Sequence, residues 1–270
     1  MENERYSRQS FLGPDAQDKI ASCRAGVAGL GGGGSHVVQQ LAHIGFKKYA
    51  LFDGDIAKDV NLNRNVGTTL ADVEGGVSKL DIARRTILGL QQDADIIAVP
   101  GRWQDNADVL KRCDIVFGCV DSFSERDQLE RCARRYLIPL IDIGMDVLHP
   151  EGDPAPTMSG QLILSMPGGP CMKCLGFLTD QRLAQEASRY GAAGPRPQVV
   201  WPNGILASSA VGVAVDLITD WTRSLRGVVY RSYSGNTGLI EPHARLPYLD
   251  LNNCSHFPVE QVGDPVFRKL

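Results

Sequence analysis

Four consecutive glycines, Gly31 to Gly34, complete the spacing Gly29-x-Gly31-x-x-Gly34 directly after the small apolar run Ala25-Gly26-Val27-Ala28. Glycine at these points allows a tight turn, close approach of the backbone to phosphate, and close packing of the next helix on its strand. The N–H groups at the start of that helix face a bound anion. Asp55 lies 21 residues after Gly34, where an acidic side chain can hold a ribose hydroxyl. Asn61, Arg64, Lys79 and Asp121 follow. A hydride-transferring enzyme on this fold has no need of two cations and a further carboxylate. Phosphate chemistry does. Arg64 carries a permanent charge on a planar fork, and Asp121 could hold Mg²⁺, which binds through one or two carboxylates plus substrate phosphates. Arg64, Lys79 and Arg8 could offset charge as pyrophosphate leaves. The chemistry is nucleotidyl transfer from ATP. No Gly-x-x-x-x-Gly-Lys-Ser/Thr occurs, which excludes a P-loop enzyme. Plainer readings stand beside these: Asn61 and Arg64 as a polar loop that caps a helix, and Arg5 and Arg8 as a solvated arm.

A second constellation is Cys171-x-x-Cys174. It reads as half of a zinc site, as a redox pair or as a nucleophile. Zinc needs four ligands, and the far tail offers Cys254-Ser255-His256. Cys171, Cys174, Cys254 and His256 would make a Cys₃His site. The redox reading is weaker because the motif does not follow a first βα turn.

The elements that must position these residues are legible. The glycine turn opens an amphipathic segment with Val37, Val38, Leu41, Ala42 and Ile44, and Tyr49 to Asp53 follows as a strand. Ser78 can cap a helix carrying Leu80, Ile82, Ala83 and Ile87. Lys79 then sits in its first turn, where a cation is mildly unfavourable unless a phosphate is near. Asp95 to Val99 reads as a strand, Asn106 to Cys113 as a helix, and Asp114 to Val120 as a buried strand ending at Asp121, on the ligand side of a parallel sheet. A helix from Glu125 to Tyr136 and strands at Pro139 to Ile143, Gly160 to Met166, Val228 to Tyr233 and Gly238 to Ile240 follow, with a long apolar helix from Asn203 to Trp221. Thr179 to Pro197 reads as a long loop around one helical stretch, and the tail from Pro242 as Pro-rich and polar. The fold expected is α/β: a Rossmann-like open, mostly parallel sheet with helices on both faces and a C-terminal antiparallel extension.

Composition adds boundaries. The chain has 270 residues, 43% hydrophobic and 22% charged, with net charge −3. That gives no electrostatic case for a nucleic acid or an anionic membrane as partner. The N-terminus lacks a signal-peptide core, and Ile205 to Ile218 is too short to span a bilayer. Seven cysteines, four of them isolated in or beside apolar segments, fit a reducing, cytoplasmic setting.

Taken in order, Arg5-Tyr6-Ser7-Arg8-Gln9, Gly29-Leu30-Gly31-Gly32-Gly33-Gly34-Ser35, Asp53-Gly54-Asp55, Asn61-Leu62-Asn63-Arg64, Lys79 and Cys119-Val120-Asp121-Ser122 resemble the MoeB/ThiF/HesA superfamily, adenylating enzymes related to the ubiquitin-activating enzymes. The resemblance implies a homodimer that uses ATP and Mg²⁺ to adenylate the C-terminal glycine of a small ubiquitin-like or sulfur-carrier protein. It implies one adenylation domain over 1–270, with a nucleotide-binding part to about 145 and a carrier-binding part beyond. Gly29, Gly31, Gly32, Gly34, Asp53, Asp55, Asn61, Arg64, Lys79 and Asp121 are the nucleotide contacts implied. Asp55 is the ribose ligand, Asp121 the Mg²⁺ ligand, Arg64 and Lys79 the phosphate pair, and Arg8 the arginine that crosses the dimer. Thr179 to Pro197 resembles the crossover loop. The chain departs from the pattern in its second zinc pair, in Gly33, where a bulkier residue is common, and in having no cysteine between Leu175 and Asn253. That last departure points to a pure adenylating enzyme. Alternatives are a peptide or tRNA-linked carboxylate as acceptor, an NAD-dependent oxidoreductase, and a non-catalytic binding partner.

Overall fold

In a computed structural model, residues 4–148, 155–188, 197–224, 229–250 and 254–258 are described. The apolar runs read as strands form β1 (Arg24–Ala28), β2 (Lys48–Asp53), β3 (Asp95–Pro100), β4 (Ile115–Gly118), β5 (Leu140–Leu148), β6 (Thr157–Ser165), β7 (Val229–Ser234) and β8 (Leu239–Pro242). They make one eight-stranded sheet in the order β3-β2-β1-β4-β5-β6-β7-β8. Pairs from β3 through β5 are parallel, and β5 through β8 form an antiparallel meander. The connections leave β1 in one direction toward β2 and β3 and in the other toward β4 and β5. A crevice therefore opens at the carboxyl ends of β1 and β4, the switch point where ligands bind in such sheets.

Two-residue alternation along buried strands feeds two cores. Ala25, Val27, Tyr49, Leu51, Ile115 and Phe117 point to one, and Ala28, Ala50, Phe52 and Val116 to the other. On the first face lie α1 (Ala16–Ser22), α2 (Gly32–Ile44), α4 (Lys79–Leu90) and, later in the chain, the long apolar helix, while a short α3 (Leu70–Glu74) is tied to α4 by the Asp72–Arg85 pair. The other face carries α5 (Ala107–Leu110) and α6 (Phe123–Arg135), and α7 (Asp180–Ser188) packs beside α6. The long apolar helix is α8 (Val200–Thr219). By length and composition it could cross a membrane, but 56% of its apolar window is buried in the fold, against α1, α2, β5 and β6.

Some elements differ from expectation. The helix expected at Asn106 to Cys113 is only α5 preceded by a 3₁₀ turn at Trp103–Asn106. β5 and β6 run past their expected ends because their antiparallel register continues from Leu140↔Ser165 out to Leu148↔Thr157. In the expected crossover loop, α7 is a nine-residue helix without buried residues. The part of that loop at 189–196 lies outside the described residues, as does the tail at 251–253 and 259–270.

Candidate functional site

The glycine turn is built by contacts that tolerate no side chains. Gly29 has φ +86° and donates its N–H to the Phe52 carbonyl at 2.9 Å. A Cβ on Gly34 would sit 1.9 Å from the carbonyl oxygen of Gly29. Gly34 therefore closes the turn and does not line the cavity above it, in contrast to its expected role as a ligand contact. Gly31 is the N-cap of α2, and a Cβ added to it would meet nothing within 4 Å. Gly34→Ala is expected to lower stability by about 3 kcal/mol, whereas Gly31→Ala should leave the urea midpoint nearly unchanged. Equal midpoints for the two variants would contradict this account. A Cβ on Gly33 would lie 3.1 Å from Ile143 Cδ1, so the bare glycine leaves room at that wall.

The Asp53 carboxylate at the end of β2 accepts the Leu30 N–H at 2.7 Å and the Asp55 N–H at 2.8 Å. Oδ2 thus braces the glycine turn and Oδ1 the start of its own loop, although Asp53 also borders the cavity. Above the turn is a cavity of about 440 Å³. Gly29, Gly31, Gly32, Asp53, Asp55, Asn61, Arg64, Lys79 and Asp121 all line it. Arg8 does not. It is exposed on the 3₁₀ segment Glu4–Leu12.

Lys79 Nζ donates to Asp55 Oδ2 at 2.7 Å, and its side chain is 10% exposed. This hydrogen bond holds the Asp55 carboxyl below the usual carboxylate range. The lysine in the first turn of α4 thus faces the cavity beside its counter-ion. Asn61 is buried and accepts the Lys58 N–H at 2.9 Å, so it caps its own turn while bordering the cavity. Arg64 folds back on the same loop, donating to the Val60 carbonyl at 2.6 Å. Asp121 lies three residues past β4, and Gln198 Nε2 approaches its Oδ1 to 3.5 Å. Ser122 then caps α6, accepting the Glu125 N–H at 3.0 Å.

Several cavity residues were not anticipated. Trp103 Nε1 donates to Glu125 Oε1 at 3.0 Å, and burial pushes the Glu125 carboxyl up. Arg126 borders the cavity and is paired with Asp142. Arg126, Glu130 and Arg134 are all buried on α6. The available signal was their spacing of four on the same arc as Leu129 and Ala133.

The cysteine constellation also converges. Ligand atoms of Cys171, Cys174, Cys254 and His256 all lie within 4.8 Å of one another. Cys171 Sγ is 3.6 Å from Cys174 Sγ and 3.5 Å from His256 Nδ1, and Cys174 Sγ is 3.3 Å from that nitrogen. A tetrahedral zinc with bonds of about 2.3 Å to sulfur and 2.0–2.1 Å to nitrogen spaces its ligands roughly 3.5–3.8 Å apart. These residues fit that ion. Burial pushes the Cys171 thiol up, opposite to what a nucleophile needs. The turn carrying the motif is clamped to α6. Glu130 Oε1 accepts the Met172 N–H at 2.8 Å, and Arg134 donates to the Gly169 and Pro170 carbonyls at 2.8 and 2.7 Å.

A family model described as the ThiF family matches residues 5–247. Among curated relatives, Protein HesA of Leptolyngbya boryana is 30% identical over 96% of this chain and 85% of its own length. SAMP-activating enzyme E1 of Haloferax volcanii is 29% identical over 64% of this chain, and the match spans 61% of that enzyme's length. The fold matches the crystal structure of E. coli MccB with ATP at a TM-score of 0.72, 20% identity, 90% of this chain and 71% of that one.

Proposed function

Because the chain belongs to the ThiF family, we propose that it is an adenylyltransferase that activates the C-terminal glycine carboxylate of a small ubiquitin-like or sulfur-carrier protein. The observation that carries this reading is the single cavity in which the glycine turn, the Asp55–Lys79 pair, Arg64 and Asp121 meet. ATP phosphates would lie along the N–H groups at the start of α2, where the helix dipole favours negative charge. The ribose would hydrogen-bond to Asp55, whose ionised carboxylate accepts. Lys79, held there by Asp55, and Arg64, released from its own loop, would face the phosphates. The acceptor carboxylate attacks the α-phosphorus. A P–O bond forms to the carboxylate, the bond to the β-phosphate oxygen breaks, and pyrophosphate leaves with its charge offset by the two cations. Mg²⁺, for which Asp121 is the cavity carboxylate at the end of β4, would neutralise further phosphate charge.

The same set disfavours an NAD-dependent oxidoreductase, which has no use for Arg64, Lys79 and Asp121 around one cavity. On this reading the part to about residue 145 holds the nucleotide and the remainder receives the carrier. Arg8, exposed outside the cavity, would act from one protomer on the nucleotide of a second in a homodimer. The setting is cytoplasmic, without a nucleic-acid or membrane partner.

The test is ATP–pyrophosphate exchange with a panel of small β-grasp proteins ending in Gly-Gly. Exchange that depends on one of them is expected. Mg-ATP binding without exchange for any of them would move the acceptor to a peptide or an RNA-linked carboxylate, and failure to bind ATP would overturn the reading.

A further inference from the structure

Arg126 lines the cavity yet is only 6% exposed. Its Nη2 donates to the Val120 carbonyl at 2.5 Å, and its Nη1 donates to the Asp142 carboxylate and to the Ile143 carbonyl. Asp142, on β5, is fully buried. A buried ion pair of this kind is weak evidence for stability, because desolvating both charges offsets their attraction. Its geometry suggests another use. Val120 is the residue before Asp121, and Ser122, the residue after it, is the N-cap of α6. One side of Asp121 is thus tied through the guanidinium to the floor of the sheet, and the other is fixed at a helix start. The carboxylate between them remains exposed on the cavity wall. Gly144 completes the arrangement, since a Cβ there would lie 2.5 Å from Arg126 Nη2.

We propose that Arg126 is a positioning residue, whose fork across Val120, Asp142 and Ile143 holds the Asp121 carboxylate where a divalent cation on the nucleotide needs it. The inference rests on the metal–nucleotide reading of the cavity given above. Arg126 acts through Asp121 and touches none of the reacting atoms. Lysine cannot replace it, since one ammonium does not span three acceptors that are shared between two guanidinium nitrogens.

The experiment compares wild type, Arg126→Lys and Asp142→Asn in the full chain. Mn²⁺ binding in the presence of ATP is followed by loss of the free-ion electron paramagnetic signal. ATP binding without metal and thermal unfolding are measured in parallel. Arg126→Lys should weaken Mn²⁺ binding by about ten- to a hundredfold, the range for outer-shell partners of a metal ligand. Metal-free ATP affinity should stay within about threefold, since the proposed loss is confined to the cation. Asp142→Asn keeps the side-chain shape and the Val120 contact, so it should shift Mn²⁺ affinity in the same direction by less. If Arg126→Lys does not fold, Asp142→Asn alone decides. Wild-type Mn²⁺ affinity in the folded variants would overturn the proposal, as would an equal loss of metal-free ATP affinity, which would make Arg126 a nucleotide ligand. A wild-type chain that binds ATP but no Mn²⁺ would overturn it as well. A wild-type chain that binds Mn²⁺ with ATP but supports no exchange would sink the adenylation reading and leave the Arg126 comparison standing.

Discussion

Asp121→Ala is expected to reduce ATP–pyrophosphate exchange by on the order of a thousandfold or more, with the fold retained. The size follows from what the residue would do. Charge on the departing pyrophosphate is stabilised by preorganised cations, and loss of one such element at a developing charge costs about 10²–10³ in rate. Loss of the carboxylate proposed to hold the metal removes several kcal/mol of the same stabilisation. The fold should survive because Asp121 lies beyond the end of β4 and is exposed. The effect should appear in kcat more than in ATP affinity, the signature of an interaction that strengthens in the transition state. Arg64→Ala should also slow exchange, but by less, since Lys79 remains in the same cavity. An Asp121→Ala protein that melts like wild type and exchanges at the wild-type rate would remove this carboxylate from the mechanism.

The parts of the site legible in the sequence were those whose residue types have few alternatives. Gly29 through Gly34, an acid at the end of β2 and an acid after β4 each announce a turn or a crevice position, and continuous apolar runs make the strands between them readable. What was illegible depended on which contact a named residue makes. Asp53 and Gly34 belong to the motif, yet one braces backbone N–H groups and the other fills a space too small for a methyl group. Arg126, Glu130 and Arg134 were hidden for a different reason. Charged residues on a helix usually face water, whereas here the cavity floor and the cysteine-bearing turn supply carboxylate, hydroxyl and carbonyl partners from β5, β6 and Gly169 to Met172. Those partners are distant in sequence, so no local pattern reveals them. The lengths of β5 and β6 escaped for the same reason, being set by their mutual register.

The second large effect is expected at the cysteines. The purified chain should carry one zinc ion, and Cys174→Ser or Cys254→Ser should abolish its binding and lower the melting temperature by about 6–12 °C, the shift for a loss of roughly 3 kcal/mol in a domain of this size class. The tail explains the sensitivity. Residues 254–258 contain no helix or strand, and their described contacts to the body include Cys254 and His256 at the cluster and Phe257 beneath the Arg134 guanidinium at 5.5 Å. A segment without helix or strand that joins the body through two of the four ligands loses that anchor when one ligand is removed. A redox pair makes a different demand. A disulfide between Cys171 and Cys174 would need neither Cys254 nor His256, more than 75 residues along the chain, and substituting either would leave stability unchanged. Four ligand atoms brought together from two distant segments are what a tetrahedral ion rewards, because each segment supplies two of the four bonds it needs. A protein isolated without metal, unaffected by chelator and lighter by the two hydrogen atoms lost on disulfide formation would establish the redox pair instead.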